Sequence, residues 1–203
     1  DEFERTTARD FSIEMEKEDL SRRQKVAIED AKTALELSLI APLEEATSVT
    51  FRHLAMLAQT KSRDEDVWAS LGLQETVPQT MRDRLQRMRT WVQSRHFPDD
   101  LRITILEEPN LEAIGQLDDE NIAILPHLIA SLRTCEWNAA SIQTTISSTA
   151  KGIETSPRHA YRALYLCIMG VERGPRLPSI LGELDQTSII NLLSACLEAK
   201  QES

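Results

Sequence analysis

Aromatic side chains make up only 4% of these 203 residues, and six glycines with eight prolines are few for a chain of many short strands. Together these shortages exclude a turn-dense all-β protein. No run approaches the ~18 apolar residues that a bilayer span requires. The opening DEFERTTARD is acidic and polar, whereas a secretory leader is basic and then apolar. Cysteine is scarce as well: Cys135, Cys167 and Cys196 are isolated, with no CxxC pair, and read as reduced thiols of a cytoplasmic protein. His53, His96, His127 and His159 are scattered, none within helical reach of another or of a cysteine, so no metal site is expected. Neither GxGxxG nor GxxxxGKS/T occurs, and no nucleophile–base pair stands out, so no residue is assigned a catalytic role.

What the chain does have is leucine and alanine, 25 and 19 residues against six valines. Unbranched side chains lose little rotamer freedom in a helix, so the bias predicts an all-α protein. With 41% hydrophobic residues the chain has enough apolar surface to bury a core. Periodicity agrees. Residues 18–40 carry Leu20, Ala27, Ala31, Ala34, Leu35 and Ile40 on one stripe, stopped by Pro42. Ser48 can cap a helix bearing Phe51, Leu54, Ala55 and Ala58. Gly72 closes DEDVWASLG, and Pro78 suits the first turn of a helix striped by Met81, Leu85, Met88 and Val92. Between two prolines, Ile103 to Leu106 has room for a short extended piece at most. Asp118 or Asp119 can cap the next helix, which Pro126 should kink or divide. Asn138 opens another helix, with Ile142, Ile146 and Ala150 inward and Gly152 just past its end. Ser156-Pro157 begins a helix that Gly170 ends, and a turn, a short helix and a terminal helix follow. The expected organisation is a linker at 1–17, helical subdomains at 18–97 and 118–203, and a connector at 98–117.

The formal net charge of −10 argues against a broadly basic nucleic-acid coat, but it averages unlike regions. Residues 78–102 and 151–176 each carry +3 within an otherwise acidic chain. In the first island Arg84, Arg87, Trp91 and Arg95 follow helical spacing along one flank. In the second, Arg158, Tyr161, Arg162 and Tyr165 share a helix that runs on to Arg173 and Arg176. Arginine forks beside aromatic faces suit single-stranded nucleic acid, pairing with phosphates and stacking unstacked bases. The same residues also suit a solvated flank and an ordinary core stripe, and physics alone leaves both readings open.

Residues 162–185, RALYLCIMGVERGPRLPSILGELD, resemble the terminal signature of class I glutamyl- and lysyl-tRNA synthetases, in which a helix ends at a glycine and a Gly-Pro loop follows. Three further stretches resemble the lysyl branch: DEFER at 1–5, LELSLIAPLEEATSVTFRHLAMLA at 35–58, and MRTWVQSRHFPDDLRI at 88–103. Residues 6–17 depart from the family pattern, and no HxGH-like or KMSKS-like string is present to bind ATP. The resemblance implies an anticodon-binding helical cage whose ATP and lysine sites belong to a separate catalytic domain, so no cofactor is expected in this chain. A first residue other than methionine suits an excised piece.

The implied partners are the tRNA-Lys anticodon loop and that catalytic domain, with no membrane. The resemblance implies anticodon contacts from Tyr165, by stacking, and from an apolar wall of Pro175 and Leu177, with Gly174 permitting close approach. Arg162, Arg173 and Arg176 are our additions as phosphate or base-edge ligands, with Arg84, Arg87, Trp91 and Arg95 as secondary RNA contacts. Two other readings stand beside this one: a helical protein–protein interaction module without RNA binding, and an enzyme whose site is assembled only by the fold.

Overall fold

The computed structural model describes residues 11–17, 20–38, 49–73 and 76–201. Among these residues all regular structure is helical, as the composition predicts. The helices are α1 (Phe11–Met15), α2 (Arg22–Ser38), α3 (Phe51–Thr60), α4 (Asp64–Ser70), α5 (Gln79–Val92), α6 (Leu111–Gly115), α7 (Asp119–Thr134), α8 (Ala139–Gly152), α9 (Pro157–Met169), α10 (Leu177–Leu181) and α11 (Gln186–Gln201), with one 3-10 turn at Asp99–Leu101. DEFER, the rest of 1–10, Ile40, Pro42, Ser48 and the side chains of Ala34 and Leu35 lie outside the described residues.

Local chemistry explains most of the boundaries. A helix start leaves backbone N–H groups unpaired, and short polar side chains accept from them. Thr50 accepts from the His53 amide, Asn110 from Ala113, Asn138 from Ser141 and Ser156 from Arg158. Asp118 and Asn121 cap α7 reciprocally, each side chain accepting from the other's backbone N–H. Gly72 (φ +70°) and Gly170 (φ +69°) take the left-handed conformation that turns the chain out of a helix.

Three expectations shift in detail. Pro78 sits one residue before α5, at its cap, rather than inside the first turn. Gly152 is the last residue of α8, and Glu154 (φ +56°) makes the left-handed turn instead. Pro126 does not divide α7, which runs on to Thr134. It removes one backbone hydrogen bond, while Ile124, Leu125, Leu128, Ile129 and Leu132 hold the helix in the core on both sides. Ile103–Leu106 forms no strand, although the Leu106 amide donates to the Ile168 carbonyl at 2.8 Å at the end of α9.

Apart from Ile28 on α2, the buried hydrophobic side chains described fall into two groups. In the larger, α7 packs against α8, α9 and α11 through Leu128, Leu132, Ile142, Ile146, Leu164 and Leu193, all without exposed surface. In the smaller, α3 packs on α5 through Leu54, Leu57, Met81 and Leu85, closed by Val67, Trp68 and Phe97. Each such leucine contributes roughly 1.5–3 kcal/mol of burial. Met56 packs against both groups. Polar bonds cross the same seam: Lys61 pairs with Glu183 at 3.3 Å, and Ser70 Oγ donates to Glu183 Oε2 at 2.6 Å. Gln59 donates to the Leu101 carbonyl at 3.1 Å and accepts from the Ile103 amide at 2.9 Å, fixing the chain where it passes between the two cores.

Candidate nucleic-acid interface

Ser156 and Pro157 set the start of α9, which places Tyr161 and Tyr165 one turn apart and half-buried, with Arg158 exposed a turn earlier. The left-handed Gly170 then sends residues 171–176 back over the same helix. Tyr165 pins that loop, its hydroxyl donating to the carbonyls of Gly174 at 3.1 Å and Pro175 at 2.6 Å. A Cβ at position 174 would lie 3.3 Å from Tyr165 Cε1, so glycine lets the backbone rest against the ring. Burial pushes the Tyr165 phenol above its ordinary value, with a hydrogen bond from the Leu177 backbone opposing it. Burial also raises Tyr161, while the Arg176 guanidinium nearby opposes the shift. Arg176 donates to Gln143 Oε1 on α8 at 2.5 Å and stays exposed. Arg173 is exposed with no partner among the described residues. The loop therefore carries two exposed arginines, Arg176 near the Tyr161 phenol, and is held to α9 by the Tyr165 hydroxyl.

Two expected contacts are corrected here. Leu177 opens α10 with no exposed surface, packed in the larger core, so it is not a free wall beside the loop. Its apolar character serves the fold. Arg162 is likewise not a free phosphate ligand. Its guanidinium donates to Glu172 Oε1 at 2.7 and 3.1 Å, to Asp118 Oδ2 at 3.2 Å and to Asn121 Oδ1 at 2.6 Å. Asn121 is fully buried and passes a hydrogen bond on to the His159 carbonyl at 3.1 Å. Arg162 therefore ties the start of α7, the middle of α9 and the loop together, and positions Arg173 and Arg176 by anchoring Glu172 beside them.

The same corner gathers Asp118, Glu120 and His159, whose ligand atoms lie within 4.8 Å of one another. Spacing along the sequence could not find this trio, because its members come from the start of α7 and from α9. His159 Nε2 lies 2.9 Å from Glu120 Oε2, while Asp118 already serves as helix cap and Arg162 partner. The trio's contacts are thus with one another, with the Asn121 amide and with Arg162. Cys167 and Cys196 are both buried, and the hydrogen bond with Cys196 together with burial pushes the Cys167 thiol up, away from the thiolate that nucleophilic chemistry needs.

The first arginine island divides in the same way. Arg89 donates to the Lys61 carbonyl at 3.1 Å and pairs with Asp64 at 3.0 Å, holding α5 to α4. Arg102 donates to the Phe97 carbonyl at 3.3 Å and lies 5.4 Å from the centre of that ring. Because α5 ends at Val92, Arg95 falls in the turn beyond it, with Nε donating to His96 Nε2 at 3.2 Å, so the expected four-residue flank stops at Trp91. Arg84, Arg87 and Trp91 remain on the helix and line an open cleft of about 490 Å³. Gln143 and Asn121 were not singled out from the sequence. Asn121 carried a signal, since it stands three residues after a capping aspartate; Gln143 carried none.

No family model matches the chain. Several curated proteins are similar to it. The lysine–tRNA ligase of Thermoplasma volcanium is 26% identical over 171 residues, covering 83% of this chain and 33% of that protein. That of Methanopyrus kandleri is 28% identical over 179 residues, covering 79% and 32%. That of Thermococcus kodakarensis is 27% identical over 211 residues, covering 95% and 37%. The chain spans about a third of the length of the curated relatives it matches. Among the described residues no helix is long and apolar enough to cross a membrane.

Proposed function

We propose that this chain recognises the anticodon loop of tRNA-Lys, as the anticodon-binding part of a class I lysine–tRNA ligase. On this reading, ATP-dependent lysylation belongs to a catalytic domain that binds ATP and lysine, and the chain supplies recognition in the cytoplasm. The observation that carries the reading is the loop at 171–176, where Arg173 and Arg176 are exposed on either side of the Gly174 and Pro175 carbonyls that the Tyr165 hydroxyl holds. Guanidinium forks pair with phosphates and base edges, while half-buried phenols and Pro175 offer surface to splayed bases. Arg162 acts one step back, as the residue that positions the loop. The similarity to proteins named lysine–tRNA ligase supports the assignment of the RNA.

The protein-interaction reading has less behind it. Among the described residues, the large apolar side chains left exposed are Val26, Leu111 and Val171, too little surface for an apolar docking patch.

The test is a titration with a hairpin carrying the lysine anticodon loop, against the same stem with a scrambled loop. The lysine loop should bind about tenfold tighter, a difference of the size that one or two lost base contacts produce. Its affinity should also fall as salt rises. Equal affinity for the two hairpins overturns the reading.

A further inference from the structure

The cleft beside α5 takes no part in the loop site at 171–176, although Arg84, Arg87 and Trp91, expected as secondary RNA contacts, line it. Its floor is Met88, buried, and Trp91, half-buried, with Phe51 meeting Trp91 edge-on at 5.1 Å. The Phe97 ring braces Trp91 from another side at 4.6 Å. Arg84 and Arg87 stand on the rim one helical turn apart, and Asp83 is the one acid among the lining residues. Asp83 accepts a hydrogen bond from Gln79 at 2.9 Å, and Arg87 is exposed. The volume of about 490 Å³ falls within the range of small-ligand sites. An indole held by two other rings, with Arg87 one turn away on the same helix, matches a flat heteroaromatic group joined to an anion.

We infer that this cleft is a nucleotide site, taking one unstacked nucleotide with its base against Trp91 and Met88 and its phosphate on Arg87. The inference stands on the cleft alone and needs neither the anticodon reading nor the Arg173–Arg176 loop. Stacking on an aromatic side chain is tolerant of base identity, so the site accepts any base and selects the pairing of a ring with a phosphate. Trp91 is already ordered by its neighbours, which lowers the entropy cost of binding there.

Intrinsic tryptophan fluorescence of the intact chain reads the site directly. The probes are adenosine and uridine monophosphates and a single-stranded oligoribonucleotide of both bases. Saturable quenching is expected, lost in Trp91→Phe and weakened about tenfold in Arg87→Ala, an exposed residue whose removal leaves the fold intact. Far-UV circular dichroism checks that each variant is folded. Tighter quenching by the oligonucleotide assigns the nucleotide to a single-stranded RNA segment, and equal quenching assigns it to a free nucleotide; both support the site. An Arg173→Ala/Arg176→Ala chain should quench as the parent does. Absence of saturable quenching by every probe overturns the inference, as does quenching that survives in Trp91→Phe or is lost in the loop variant.

Discussion

Two regions with the same formal charge of +3 use their arginines differently, and the difference lies in what stands opposite each side chain. Along α5 the island supplies both ties and surface. Arg89 and Arg102 are folded back onto carbonyls, Asp64 and the Phe97 ring, while Arg84 and Arg87 border a cleft. In the second island Arg162 is enclosed by Glu172, Asp118 and Asn121, while Arg158 at the start of the helix and Arg173 and Arg176 past Gly170 are exposed. A count of charges along the chain cannot separate a cation that holds the fold from one that meets a partner. The partners brought in by distant helices make that separation.

The comparison can be broken at several points, and the largest effect should come from the core beneath both tyrosines. Leu164→Ala empties a fully buried position on the inner face of α9 and should cost about 2–5 kcal/mol in urea unfolding. Arg162→Ala should come next, at roughly 1–3 kcal/mol, because it removes the guanidinium donor to buried Asn121, leaving its oxygen only the longer bond from the Asp118 N–H, and breaks the pairs with Asp118 and Glu172. A neutral result there would place Arg162 with the outward arginines. Gly170→Ala should cost about 1–2 kcal/mol, since a side chain is strained at φ +69°.

Tyr165→Phe should cost about 1 kcal/mol by releasing the Gly174 and Pro175 carbonyls, and it should also change the alkaline limb of stability. Burial raises the Tyr165 phenol, so the folded state keeps its proton longer than the unfolded state does. That contribution is complete below pH about 10, the ordinary phenol value, and is lost as pH rises through the higher folded value. Thermal unfolding across that range should therefore fall less steeply in Tyr165→Phe. The smallest effect belongs to Arg87→Ala, whose stability should stay within about 0.5 kcal/mol of the parent chain.

Much of the fold was legible because helices announce themselves locally. Ser156-Pro157, Asn138, Gly72 and Gly170 stand where the sequence puts them, and Ile142, Ile146 and Ala150 are buried as their spacing requires. Pro126 was harder to judge, because the packing that carries α7 past it comes from α8, α9 and α11, which no local window contains. The candidate site was legible in residue type and only partly in role. Arg173 and Arg176 are exposed on the loop after Gly170, and Tyr165 reaches that loop from α9 through the Gly174 and Pro175 carbonyls. Leu177 turned inward because it opens a short helix against the core, and Arg162 was claimed by an acid 44 residues away. Long-range partners of this kind leave no mark on the spacing of one chain.

The claim that the loop arginines meet RNA while Arg162 holds them in place is tested most directly by one binding measurement on Arg173→Ala/Arg176→Ala, with the lysine anticodon hairpin as ligand. The account predicts an affinity loss of about tenfold or more, a shallower salt dependence by one to two counterions, and an unchanged unfolding temperature. Affinity and salt dependence equal to those of the parent chain would contradict it.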